Sequence, residues 1–190
     1  EDEIIFNFEV TVVAAPAVPE PELAFHFDFL TGHGTSYTTA PTDISFTNLV
    51  SGELTFSLFR VAANTVSAVS GSSRALVISP RLGDSIGEAF VVVDFGQNID
   101  KLEFDTYFWS SAAIPLLTSY VLEVWDETEE EWVLVLDLKE ELGEDLTINN
   151  FVLDDVEGSV FRFFATGGQL NGNNARVLVD NLKAYSFPIE

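Results

Sequence analysis

Apolar residues recur at every second position along this chain, and almost nowhere at the three-to-four spacing that a helix needs. In EIIFNFEVTV, residues 3–12, the side chains of Ile4, Phe6, Phe8, Val10 and Val12 share one face, opposite Glu3, Asn7, Glu9 and Thr11. ELAFHFDFL repeats the pattern with Leu23, Phe25, Phe27 and Phe29, GELTFSLF with Leu54, Phe56 and Leu58, and KLEFDTYF with Leu102, Phe104 and Phe108. A strand sends alternate side chains to opposite faces, so this period specifies strands buried on one side. RALVISP and GEAFVVVDF are instead almost continuously apolar, which predicts strands covered on both sides. YVLEVWDETEEEWVLVLDL reads as a hairpin in which Tyr120, Leu122 and Val124 answer Trp132, Leu134 and Leu136 across an acidic turn. NNFVLDD, SVFRFFAT and ARVLVDNLKAY supply the closing strands. About a dozen short strands joined by Gly, Ser, Asn and Asp turns predict an all-β, two-sheet antiparallel sandwich. The single place for a short helix is DLKEELGEDL, residues 137–146.

One strand stands apart from the others. AAPAVPEPE follows it, and proline, which lacks an N–H and prefers extended geometry, makes such a segment a stiffened spacer. The chain therefore divides into an N-terminal strand in residues 1–14, a Pro-rich spacer in 15–22 and a sandwich in 23–190. Burying side chains of the Ile, Val and Phe kind is worth about 1.5 to 3 kcal/mol each, so the strand has to be buried somewhere. Three readings compete: the strand folds back as an edge of its own sandwich, is a trimmed linker from a larger protein, or is donated to a second copy. A strand donated head to tail makes a contact that does not close, and such contacts build filaments. The main expectation is a non-enzymatic structural subunit whose partner is itself, joined through Ile4, Phe6, Phe8, Val10 and Val12. Packing within one molecule weighs equally on the sequence alone.

Composition narrows the partners. A hydrophobic fraction of 47% with 17 Phe argues for a folded chain despite a net charge of -23. Against 8 Lys and Arg stand 31 Asp and Glu, a balance that repels nucleic acid and anionic lipid. Hard cations, above all calcium, are the small partners that carboxylates suit. The chain has no Cys, so no disulfide or thiolate site is expected. It has no Met either, which leads to the expectation of N-terminal processing, a cut signal peptide, and an extracellular or cell-surface location. No apolar run reaches the length of a membrane span, and no membrane insertion is expected.

Catalytic patterns are missing. His26 alternates to the face opposite Phe25 and Phe27, and His33 lies in the glycine-flanked LTGHGTSY. There is no GxSxG elbow, no GxxxxGK[ST] phosphate loop and no HExxH pair, so the expectation is a protein that is not an enzyme. Sugar binding needs outward aromatic rings on which a pyranose face can stack. Tyr107 and Trp109 alternate away from Phe104 and Phe108, and Trp125 away from Leu122 and Val124, which makes these three the glycan-binding candidates. Asn171, Asn173 and Asn174 are their polar companions. DETEEEW and KEELGED read as solvated acidic loops, since neither has the spacing of an EF-hand.

From about Phe25 to the end, the order FDF, RALVISP, VLEVWDETEEEWVLV, VFRFFAT and ARVLVDNLKAY resembles the galactose-binding-like jelly rolls of secreted bacterial proteins, an architecture shared by many carbohydrate-binding modules. The resemblance implies a jelly-roll topology and an alternative function as a carbohydrate-binding or adhesive module with glycan partners. It further implies a structural calcium, for which Asp28 in FHFDF and Asp180 in VLVDNL are the matching positions, and no other cofactor. The chain departs from that pattern by carrying the additional strand and spacer at its front.

Overall fold

The computed structural model describes residues 19–29, 36–64, 74–82 and 85–188. Ile4, Phe6, Phe8, Val10 and Val12, residues 15–18 of the spacer, and His33 lie outside the described residues.

Two antiparallel sheets face each other. The first holds β1 (Glu22–Phe27), β4 (Val61–Asn64), β5 (Ala75–Ile78), β8 (Lys101–Phe108), β11 (Asn149–Asp154) and β15 (Val177–Ser186), in the order β11-β8-β15-β5-β4. β1 pairs with the far half of β15, on Leu182 to Ser186. The second holds β2 (Thr42–Thr47), β3 (Glu53–Phe59), β6 (Arg81–Leu82), β7 (Ser85–Asp94), β9 (Leu117–Asp126), β10 (Glu131–Asp137) and β12 (Val160–Gly167). Its order is β10-β9-β12-β7-β3-β2, with β6 on β7. A small hairpin, β13 (Gln169–Leu170) with β14 (Asn173–Asn174), precedes β15. The chain changes sheets between β3 and β4 and again between β5 and β6, and these two crossings lie side by side, because Arg60 Nη1 donates to the carbonyl of Arg81 at 2.7 Å.

The core lies between the sheets and follows the period-two faces. Phe56 and Leu58, Ala89, Val91 and Val93, and Phe161, Phe163 and Ala165 meet Leu102, Phe104, Phe108, Val177 and Val179, all buried. Phe27, Phe29, Phe46 and Phe56 close one end, with edge-to-face contacts at centroid distances from 4.9 to 5.8 Å. One polar pair sits in this core. The Thr106 hydroxyl donates to the Leu178 carbonyl at 2.6 Å and lies 2.8 Å from the Tyr120 hydroxyl, so both buried hydroxyls are satisfied.

Residues 137–146 do form the short helix, α1 (Leu138–Leu142), which Asp137 caps by accepting from the Glu140 N–H at 3.0 Å. Among the described residues no helix is long and apolar enough to cross a membrane.

Two strand expectations need correction. β5 is buried at all four positions, as a continuous apolar run predicts, but β7 is not. Ala89, Val91 and Val93 point into the core while Phe90 and Val92 are left half-buried on the outer face. In the β9/β10 hairpin, Trp132 lies opposite Trp125 and Leu134 opposite Glu123, and only Leu136 answers Leu122. The cause is a register shift between Leu134 and Leu136, since one additional residue sends every side chain on one side of it to the other face.

Candidate functional site: an aromatic platform and an arginine cleft

The outer face of the seven-stranded sheet carries aromatic rings in register. Phe59 on β3 pairs with Phe90 on β7, which pairs with Phe164 on β12. Cross-strand partners on one face stand side by side, so three phenyl groups form a row across three strands. The Phe59 and Phe90 centroids are 5.5 Å apart, and all three rings are half-buried. In the next row Arg162 lies between Val92 and Glu123. Its Nη2 reaches Glu123 Oε2 at 2.6 Å and its Nε donates to the same oxygen at 2.8 Å. The guanidinium also lies 4.3 Å from the Trp132 ring and 4.5 Å from the Phe164 ring. Trp132 in turn meets Trp125 edge-on at 5.3 Å. One cation thus ties two tryptophans on β9 and β10 to the phenylalanine row.

Apolar ring faces interleaved with fixed polar groups are what a sugar ring needs. Its C–H face stacks on an aromatic ring while its hydroxyls bond to neighbouring donors and acceptors. Arg162, Glu123 and the Ser119–Thr166 hydroxyl pair, 2.7 Å apart, are among the polar groups on this face.

A cleft of ≈ 320 Å³ opens where the chain crosses between the sheets. Arg60, Arg81, Arg176 and Tyr37 line it together with Ser79 and Asn174. The Arg176 guanidinium lies 5.2 Å from the Trp109 ring and 5.8 Å from the Tyr37 ring. Burial pushes the Tyr37 hydroxyl above its ordinary range, against the lowering influence of Arg176, Ser79 and Arg81. Arg60 has φ 55°, a left-handed conformation costly for a residue with a side chain, and its guanidinium lies 4.9 Å from the Phe59 ring. Arg60 is therefore shared: it ends the phenylalanine row and begins the cleft.

The residues singled out from the sequence fall in different places. Tyr107 does point away from the main core, but it is 4% exposed, packed in a second cluster with Ala75, Val77 and Leu178, and has no ring face to offer a sugar. This corrects its reading as a stacking residue. Trp109 is 37% exposed and flanks the arginine cleft. Trp125 is half-buried against Trp132 and lines a separate cleft beside Asp126, Glu127 and Glu157. Asn174 lines the arginine cleft, with its Oδ1 3.5 Å from Arg81 Nη1. His26 is held in a polar seam on the outer face of the six-stranded sheet. Its Nε2 lies 2.8 Å from Asn181 Oδ1, and Asn181 and Asn150 donate to the Asp105 carboxylate.

Asp180 is fully buried opposite Asp105, and Asp28 follows the end of β1. Among the described residues no group of three His, Cys, Asp or Glu side chains could hold a metal ion. A calcium ion takes six to eight oxygens, and these two carboxylates do not assemble such a set by themselves.

Phe59, Phe90, Phe164, Trp132 and Arg162 were not singled out as site residues from the sequence. The signal was there in FRFF, where Arg162 and Phe164 alternate with core residues, and in the arginines scattered through an acidic chain.

No family model matches this chain, and no curated protein does. Some solved structures are similar to it at low TM-scores. The CBM22-1 xylan-binding domain from Paenibacillus barcinonensis Xyn10C is 10% identical over 92% of this chain and 100% of its own, with a TM-score of 0.42. The mannan-recognising carbohydrate-binding module TmCBM27 is 12% identical over 90% of this chain and 100% of its own, with a TM-score of 0.42. Tailspike protein 4 of bacteriophage CBA120 is 10% identical over 66% of this chain, which spans 17% of the tailspike domain, with a TM-score of 0.39. The functional reading rests on the geometry of this chain.

Proposed function

We propose that the protein is a carbohydrate-binding β-sandwich that works by holding a glycan, not by transforming one. The observation that carries this reading is the outward row Phe59, Phe90 and Phe164, joined through Arg162 to Trp132. A half-buried aromatic face of this kind gains free energy when a flat, amphipathic ligand covers it. Arg162 and Glu123 hold each other in place, so they present fixed groups to sugar hydroxyls without the cost of being ordered on binding. The test is affinity electrophoresis and calorimetry across a panel of polysaccharides. Wild type should bind at least one polymer saturably, and Phe90→Ala and Trp132→Ala should lose that binding while melting as folded proteins. A panel with no ligand would remove the reading.

An extracellular location accords with this role and belongs to the same proposal. Two expectations from the sequence stand as separate proposals. Strand donation by Ile4, Phe6, Phe8, Val10 and Val12 rests on sequence alone. Calcium at Asp28 and Asp180 is checked by melting the protein with and without a chelator.

A further inference from the structure

We infer that the arginine cleft is an oxyanion pocket, and that it reads a single acidic substituent, a carboxylate or a sulfate ester, on an otherwise neutral glycan lying on the platform. The inference rests on the glycan reading for its ligand class and adds the charge and its place.

Charge distribution carries it. The chain has 31 carboxylates and 8 Lys and Arg, so a cation placed without purpose would find an acidic neighbour. Lys101, Arg162 and Lys183 do so, pairing with Asp154, Glu123 and Glu103. Lys139 donates to the carbonyls of Leu117 and Thr118. Arg60 likewise donates to the carbonyls of Pro80 and Arg81, and Arg81 to Asn174 Oδ1, but with Arg176 these cations meet around one cleft: among the described residues none of the three has a carboxylate within ion-pair distance and no Asp or Glu lines the cleft that they share. Three guanidinium groups around one cavity repel each other, and an anion between them turns that repulsion into attraction.

One donor in the cleft is unspent. Arg176 Nε is buried and has no acceptor among the described residues. A buried charged donor without an acceptor is costly, and a ligand oxygen removes that cost. The planar guanidinium fork matches the two oxygens of a carboxylate or the face of a sulfate. Tyr37 adds a hydroxyl, and Trp109 flanks the pocket with a ring on which the sugar that carries the charge would stack.

Position and net charge restrict the ligand further. Arg60 touches Phe59 and lines the cleft, so the pocket opens at the end of the phenylalanine row, where a sugar chain running across the sheet would deliver a substituent. A net charge of -23 repels a polyanion at long range. The pocket therefore selects one charged group on a neutral chain over a densely charged polymer.

The experiment is calorimetry with oligosaccharides of the bound polymer that are identical except for one uronic acid or one sulfate ester, alongside sodium sulfate and sodium acetate alone. Proteins are wild type, Arg81→Gln, Arg176→Gln and the platform variant Phe90→Ala. Arg81 is exposed, so its variant keeps the test valid where Arg176→Gln disturbs Tyr37 and Trp109. The expected result is a preference for one acidic oligosaccharide of about tenfold or more, the size of a charge-assisted hydrogen bond, that weakens with salt and disappears in the arginine variants while neutral binding is unchanged. Which acid is preferred separates carboxylate from sulfate. Equal binding of neutral and acidic sugars overturns the pocket and leaves the platform reading intact. Arginine-dependent binding of sulfate or acetate without any glycan binding supports the pocket and overturns the platform. If acid preference persists in both arginine variants, the charge is read elsewhere and the inference fails.

Discussion

Arg162 places its guanidinium 4.3 Å from the ring of Trp132, two strands away in the sheet, while both its Nε and Nη2 are held by a single oxygen of Glu123. The outer face of the sheet is therefore organised around a cation. Replacing Arg162 by Ala leaves the Glu123 carboxylate half-buried without its partner and frees Trp132, and is expected to destabilise the fold by about 2 kcal/mol. Glycan affinity should fall with it. Urea unfolding and calorimetry on the same variant check both, and Arg162→Lys, which cannot lie flat between two rings, should recover little of either.

Trp109 follows the end of β8, two residues after Tyr107, yet the two should respond in opposite ways to substitution. The Tyr107 hydroxyl is buried with no hydrogen-bond partner among the described residues, so Tyr107→Phe should be neutral or stabilising, by up to about 1 kcal/mol, and leave binding unchanged. Trp109→Ala should leave stability nearly intact and weaken binding of an acid-bearing sugar. A loss of binding in Tyr107→Phe would show that the ring is not the structural residue its burial indicates.

Inside the core, Thr106 serves Tyr120 and the Leu178 carbonyl together. Thr106→Val leaves the fully buried Tyr120 hydroxyl without its partner and should cost about 1 to 3 kcal/mol. Adding Tyr120→Phe should restore part of that loss, because removing both polar partners is cheaper than stranding one. A double-mutant cycle by chemical denaturation measures the coupling, and additive effects would refute it.

On the outer face of the other sheet, Glu103 accepts from Lys183 Nζ at 2.7 Å and from the Tyr185 hydroxyl at 2.9 Å. Burial alone would raise the Glu103 carboxyl, but these hydrogen bonds and the charges of Lys183 and Lys101 hold it below its ordinary value. Tyr185 is pushed up to about 12, first by burial and then by its bond to Glu103. A lowered carboxyl contributes stability above its unfolded value and loses it as pH falls through the folded one. A raised phenol contributes below its ordinary 10.0 and loses that as pH rises through about 12. Unfolding free energy should thus decline at both extremes. Glu103→Gln should shrink the acid-side decline and Tyr185→Phe the alkaline one, as urea titrations across pH would show.

Deleting residues 1–15 tests the strand that precedes the spacer. If it is donated between copies, light scattering of the intact chain should give a mass that grows with concentration, and the truncated chain should remain a monomer. Identical compact monomers for both would end the filament proposal and leave the platform untouched.

What the sequence determined by itself was the strand identity and the buried faces. Alternation every second residue is a local property, and Phe56, Leu58, Leu102, Phe104 and Phe108 turn inward as that period requires. The two-sheet antiparallel sandwich follows from it, because a chain of one-sided strands must bury two apolar faces against each other. The helix at residues 137–146 was legible for the same reason: its Asp cap and terminal glycine are local signals.

Tertiary structure decided which outward residues stand together. A continuous apolar run does not say whether its second face is covered, and so β5 is buried on both sides while Phe90 and Val92 of β7 are left facing out. A one-residue shift in β10, invisible in the alternation of either strand alone, set Trp132 beside Trp125 instead of in the core. Tyr107 pointed outward as its position required, but a second layer of packing covered it. Arg60, Arg81 and Arg176 lie far apart in the chain and meet only because the sheet crossings after β3 and β5 lie next to the start of β15. Periodicity records the direction in which each side chain leaves its own backbone, whereas a site depends on register between strands distant in sequence, and that register is fixed only when the sheets pair.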